Sequence, residues 1–140
     1  MDKVVTRNEM LYRVVKRSQP DSMNADGQPT SALFKQEDGV SVDRDGERDE
    51  EEIVNTFRTR FTKRFKGLVR VSAGVCIDNC MAVIPEDENN EYHAEIFENF
   101  EKTPLSSLNA LILADCARVV IYAPSVQWSV QKTVLDSQTT

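Results

Sequence analysis

Ile53, Phe57, Phe61 and Phe65 recur at intervals of four. At about 100° per residue this spacing drifts only about 40° per step, so with Val54 the side chains form one stripe on a helix. The stripe predicts a helix over about 48–64. Glu50, Glu51 and Glu52 fall in its first turn and the basic residues in its last, the placement that the helix dipole favours. Asp49 is the expected N-cap, with Glu52 three residues on as the other half of a capping box. Arg64 would project beside Phe57, inside the stripe. Either the helix ends before Arg64, or the arginine stem lies along the core edge.

Around this helix the chain offers only short extended pieces. Residues 10–16, MLYRVVK, are β-branched and aromatic at their centre and read as a first strand. Ser18 to Thr30, with two prolines and a glycine, reads as a long mobile loop. SALFK (31–35) and VSV (40–42) are short strand candidates, separated by the turn from Gln36 to Gly39. Strands are also expected at 68–72, 81–84 (stopped by Pro85), 92–97 and 118–122. Residues 73–79 are too mixed to assign. Thr103-Pro104 has the form of an N-cap followed by proline at the first helical position, and predicts a second helix to about Cys116. Its apolar face is expected to hold Leu105, Leu108, Leu111, Ile112 and Cys116. This order, without strict βαβα alternation, predicts an α+β fold: a small mixed or antiparallel sheet with two helices packed mainly on one face. Residues 1–122 would form the single domain and 123–140 a polar tail, with Trp128 as its one anchor.

With 140 residues there is room for one ordinary domain. No apolar run approaches the roughly 18 residues of a membrane helix, and the N-terminal stretch lacks a signal core. Three cysteines fit a reducing, cytoplasmic compartment. The net charge of −6 is unevenly spread. Residues 36–52 carry nine acids and two arginines, whereas 58–70 carry Arg58, Arg60, Lys63, Arg64, Lys66 and Arg70 and no acid. A second acidic run from Glu86 to Glu101 carries seven acids and no base. The simplest expectation is that an acidic stretch neutralises the basic one in the fold; the other is a footprint for an anionic partner. A pI near 4.8 argues against nucleic acid as the main ligand.

Gly-rich phosphate loops, a GxSxG elbow and an HExxH motif are all absent from the sequence. Cys76, Cys80, His93 and Cys116 could suit zinc by type, but GVCIDNCM is largely apolar and reads as core, so no metal is expected. His93 is the only histidine, and imidazoles titrate near neutral pH, which suits a general acid or base. The segment SALFKQEDGVSVDR places Ser31, Lys35, Ser41, Asp43 and Arg44 around one glycine-containing turn. Arginine can hold a phosphate or carboxylate with two parallel bonds, and aspartate can orient a nucleophile. The candidate catalytic set is therefore His93, Asp43 and Ser41, and the candidate ligand-binding set Arg44, Lys35 and Ser31. Turn-forming roles for Asp43 and Asp45, and a surface ion pair for Arg44, remain the alternative. Convergence of the 31–44 segment with His93 in one pocket would favour an enzyme.

SALFK, GVSVDR, the EEEI helix start and IPEDENNEYHAEI resemble a set of small uncharacterised bacterial proteins sharing an SxxFK…GVSVDR…HAxI pattern. The resemblance covers about residues 11–121. It implies that Ser41, Asp43, Arg44 and His93 belong to a shared pattern, with no activity attached. A weaker likeness, through Arg13, Ser41 and Glu95, is to ADP-ribosyltransferase-type enzymes. It implies an arginine on the NAD phosphates and a glutamate at the reacting sugar, although the Ser-Thr-Ser and ExE elements are missing. Three readings follow. The first is a cytoplasmic module that binds a protein partner, with a bacterial defence or toxin system as one setting. The second is an enzyme acting on a phosphate-containing substrate, a nucleotide or nucleic acid, with Arg44 and Lys35 as phosphate holders and His93 as acid or base. The third is an NAD-using enzyme. No cofactor is expected beyond that third case, no membrane contact is expected, and the oligomeric state stays open.

Overall fold

The computed structural model describes residues 1–123. Six strands form one antiparallel sheet: β1 (Met10–Lys16), β2 (Val40–Arg44), β3 (Phe65–Ser72), β4 (Ala82–Pro85), β5 (His93–Phe97) and β6 (Arg118–Tyr122). Their order across the sheet is β4-β5-β2-β1-β3-β6. Three helices complete the fold: α1 (Glu50–Phe61), α2 (Ala73–Asp78) and α3 (Ser107–Cys116). The α+β class follows the element order read from the sequence.

The two main helices, expected together, lie on opposite faces of the sheet. Alternation sends Leu11, Arg13 and Val15 of β1 to one side and Tyr12, Val14 and Lys16 to the other. Tyr12 and Val14 join Leu68 and the α1 residues Ile53, Val54 and Phe57 in one core cluster. Leu11 and Val15 join Val40, Val42, Ile96, Cys76 of α2, and Ala110 and Leu113 of α3 in the other. The reason lies in β1, where residues 11–15 are all buried. A strand apolar on both faces needs cover on both.

The α1 stripe buries Ile53, Val54 and Phe57, while Phe61 is half-buried and stacks on Phe57 with ring centroids 6.0 Å apart. The helix ends at Phe61, where Thr62 takes a φ of 44°, and Arg64 leaves the stripe in a 3-10 turn. Asp49 sits at the N-cap, but its side chain makes no cap bond, so the capping box does not form.

Local expectations are corrected, and the stretch left unassigned is resolved. Ser31–Phe34 is a 3-10 turn rather than a strand; Thr30 caps it by accepting from the Ala32 N–H, and Leu33 and Phe34 are fully buried. The unassigned stretch after β3 is α2, whose Ser72 cap accepts from the Gly74 N–H. The second main helix starts later, with Ser106 as cap, and it buries Ala110, Leu113 and Ala114. Leu108 and Leu111, expected inside, are 68% and 48% exposed, and Cys116 is exposed too. The segment LNALILA is apolar nearly all round, so no periodicity marks its buried side. The 18–30 loop contains a 3-10 turn (Pro20–Ser22) and a bridge between Met23 and Pro29, with Met23 in the core. The predicted tail after Ala123 and its Trp128 lie outside the described residues. No helix among the described residues is long and apolar enough to cross a membrane.

Candidate functional site

Strand alternation turns Ser41 and Asp43 to the α1 side of β2. The β2–β5 register sets Asp43 opposite His93 and Ser41 opposite Glu95. The Arg44 N–H donates to the Tyr92 carbonyl at 2.7 Å. That makes Asp43/His93 and Ser41/Glu95 non-hydrogen-bonded pairs, the kind whose side chains approach closest, with Cα atoms about 4.5 Å apart. These four residues line a cleft of about 890 Å³. Phe57, Arg60 and Phe61 of α1 form one wall and the acidic loop from Pro85 to Asn90 the other.

Asp43 is buried and fully engaged. Arg60 approaches it with both terminal nitrogens, at 2.9 and 3.4 Å, and Asn90 Nδ2 donates from 3.2 Å. Arg60 in turn lies over the ring of Phe57 at 4.8 Å. His93 is half-buried, its Nε2 3.4 Å from a Glu95 carboxylate oxygen. A carboxylate beside an imidazole fixes the orientation of the ring. Ser41 is the one serine, threonine or cysteine among the described residues that line the cleft.

Arg13 forms the cleft floor. β1 and β2 pair only through Leu11↔Arg44 and Tyr12↔Asp43, then part. The Arg13 guanidinium fills the gap: Nε donates to the Leu33 carbonyl, and Nη1 to the Ser41 carbonyl and to Gln36 Oε1, at 2.9, 2.9 and 3.1 Å. The side chain is only 7% exposed, and no carboxylate lies within ion-pair distance among the described residues. Burial pushes its pKa down to about 10, which leaves a full cation at neutral pH. Its Nη2 makes no hydrogen bond among the described residues, and Arg13 is one of the residues lining the cleft. At the cleft rim the Lys16 ammonium is held below its usual range by burial and then by the positive charges of Arg13 and Arg64.

The sequence-predicted set divides. Asp43, Ser41 and His93 come together, and so do Arg13, Ser41 and Glu95 of the ADP-ribosyltransferase likeness. Arg44 does not join them. It points to the opposite face, 2% exposed, and its guanidinium holds Glu9 at 2.7 Å together with the Asp2 and Val4 carbonyls. Ser31 and Lys35 do not line the cleft, and Lys35 is exposed. The cysteines are unpaired; burial pushes the Cys76 thiol up to about 12, while Cys80 and Cys116 are exposed. No cluster of three or more His, Cys, Asp or Glu residues suited to a metal occurs among the described residues. Sequence reasoning missed Arg60, Asn90 and Gln36. For Arg60 there was a signal, since it stands three residues after Phe57 at the border of the stripe. For Asn90 and Gln36, loop positions with no periodicity, there was none.

Comparison with known proteins gives no match to this chain among family models, curated proteins or solved structures.

Proposed function

We propose that the cleft binds a phosphate-containing molecule and that the chain is an enzyme acting on it, with His93 as general acid or base. The observation that carries this reading is Arg13. A buried cation without a counter-charge costs several kcal/mol of desolvation, on the order of the penalties for unpaired buried ions. A phosphate or carboxylate oxygen accepting from Nη2 would offset that cost at a point beside Ser41 and facing the His93–Asp43 pair. Glu95 would hold the imidazole, and Asp43, clamped by Arg60 and Asn90, would supply a fixed negative charge across from it. Phosphate holding thus passes from Arg44 and Lys35 to Arg13. The three free thiols support a reducing, cytoplasmic setting for this activity.

Calorimetric titration with inorganic phosphate, AMP and NAD tests the reading. At least one should bind, Arg13→Lys should weaken it at least about tenfold by losing the planar donor fork, and His93→Gln should keep binding but lose turnover. Failure of all three to bind, or equal binding by folded Arg13→Lys, would overturn it.

A protein-interaction role is favoured by a separate observation. Val4, Ile77 and Phe100, exposed at 71%, 40% and 75%, rim one apolar groove with Met81, Val83 and Ile84. Clustered exposed apolar side chains mark contact surfaces. Under this reading Phe100→Glu would release a co-purifying protein while leaving the cleft unaffected.

A further inference from the structure

The basic run at 58–70 is only partly neutralised by the fold. Arg60 finds Asp43 and Arg70 finds Glu50. Arg58, Lys63, Arg64 and Lys66 find no carboxylate within 4.0 Å among the described residues, and neither do Lys16 and Arg17 at the end of β1. The fold gathers these six cations at one end of the molecule. The Arg17 N–H donates to the Arg64 carbonyl at 2.9 Å and its Nε to the Lys63 carbonyl at 3.0 Å. Lys16 is in register with Phe65. Residues 124–140 contain a single acid, Asp136.

Aromatic rings lie between the cations. Lys16 and Arg64 flank Phe61 at 5.5 and 5.2 Å and Arg58 lies 5.6 Å from Phe65, both rings on the α1 face, while Lys66 lies 5.4 Å from Tyr122, which packs against the core on the other face at the same end of the sheet. All three rings are half-buried. The α1 carboxyl end accounts for some of this charge, because its carbonyls favour cations in the last turn. That does not explain Lys16 of β1, Arg17 just after it, or Lys66 of β3. Lys16 and Phe61 also line the cleft, so the cationic ledge and the His93 cleft are continuous.

We propose that this ledge binds single-stranded nucleic acid across the mouth of the cleft. It deepens the function proposed above, and rests on it, by naming the substrate class. Cations spaced along a ledge suit a phosphate backbone, and interleaved rings offer stacking surfaces for unpaired bases. An acidic peptide would use the cations and leave the rings idle. The acidic wall from Glu86 to Glu88 repels a backbone on the far side, which restricts the strand to the ledge. The low overall pI is no obstacle, because the charge is segregated rather than averaged.

Fluorescence anisotropy with labelled single-stranded RNA and DNA of about 12 nucleotides tests this. Binding should weaken steeply between about 50 and about 200 mM salt, and the log–log slope should fall by about 0.7 for each cation removed. Lys63→Glu with Arg64→Glu, both exposed and outside the core, should weaken binding at least about tenfold, with an unchanged circular dichroism spectrum as the folding control. No binding at the lower salt, or binding unaltered in the folded double variant, would overturn the proposal. So would polyglutamate competing as well as an oligonucleotide of equal charge. Phosphate or AMP binding without oligonucleotide binding would remove this inference and leave the proposed function standing. Oligonucleotide binding without any cleft ligand would leave the ledge a nucleic-acid contact but overturn its reading as the place where the cleft's substrate is held.

Discussion

Two buried arginines, Arg13 and Arg44, behave differently because of what faces them. Arg44 has Glu9, and the pair ties the N-terminal segment to the end of β2. Burial alone would push the Glu9 carboxyl up, but the Arg44 hydrogen bond, the Thr6 N–H and the Arg44 charge outweigh it and hold it below the usual range. The folded chain therefore binds this proton less tightly than the unfolded one. The pair's contribution is fully present above the unfolded carboxylate pKa of about 4.3 and is lost as pH falls through the lower folded value. Urea midpoints measured down through that window should drop for the wild type. In Glu9→Gln the loss is already present at neutral pH, and this part of the acid dependence should vanish. Nothing in the sequence separates these arginines: VDR and LYR look alike, and the difference is made by a glutamate 35 residues away from one and by carbonyls around the other.

Element by element, the sequence was readable where periodicity was clean. Phe57 belongs to the four-residue stripe and is 3% exposed between α1 and β3. Phe57→Ala should cost about 3–5 kcal/mol, lost transfer energy plus a cavity. Leu108→Ser should change stability by less than about 0.5 kcal/mol, as surface substitutions do. Chemical denaturation of both variants checks the assignment of faces, and a large loss at Leu108 would contradict it. That α3 is a helix was legible and its phase was not, since six of its ten residues are Ala, Leu or Ile on every side. SALFK failed for a related reason. In four or five residues a 3-10 turn and a strand carry the same apolar content, and the Thr30 cap decides between them. The β2–β5 pairing that makes the cleft joins segments about fifty residues apart. Alternation gave each strand's polar face; only the assembled sheet brought Asp43 opposite His93.

Across the whole molecule, charge is distributed against stability. The expectation that acids would cancel the basic run holds for Arg60 and Arg70 and fails for the rest, because the acids of 36–52 are spent on Arg60 and Arg70, are held locally, as Asp45 is by the Met10 N–H, or face solvent. Natural chains keep such repulsion when it serves binding. Lys16 is the most informative member of the ledge. Its ammonium is held below its usual range by burial, Arg13 and Arg64, so its charged form is less favourable in the fold than in the unfolded chain. The sign is the reverse of an ion pair: the deficit is complete below the folded pKa, which includes neutral pH, and disappears as pH rises past the unfolded value of about 10.4. Lys16→Met removes the charge, keeps a stem of similar length and can retain contact with Phe61 through sulfur. At neutral pH it should raise stability by a few tenths of a kcal/mol, roughly the size of an exposed charge interaction. The gain should fade above about pH 10.4. The same variant should bind a single-stranded oligonucleotide more weakly than the wild type, with a shallower salt dependence. Greater stability with unchanged binding would make Lys16 a bystander to the ledge. Lower stability would mean that the Lys16–Phe61 contact outweighs the repulsion from Arg13 and Arg64.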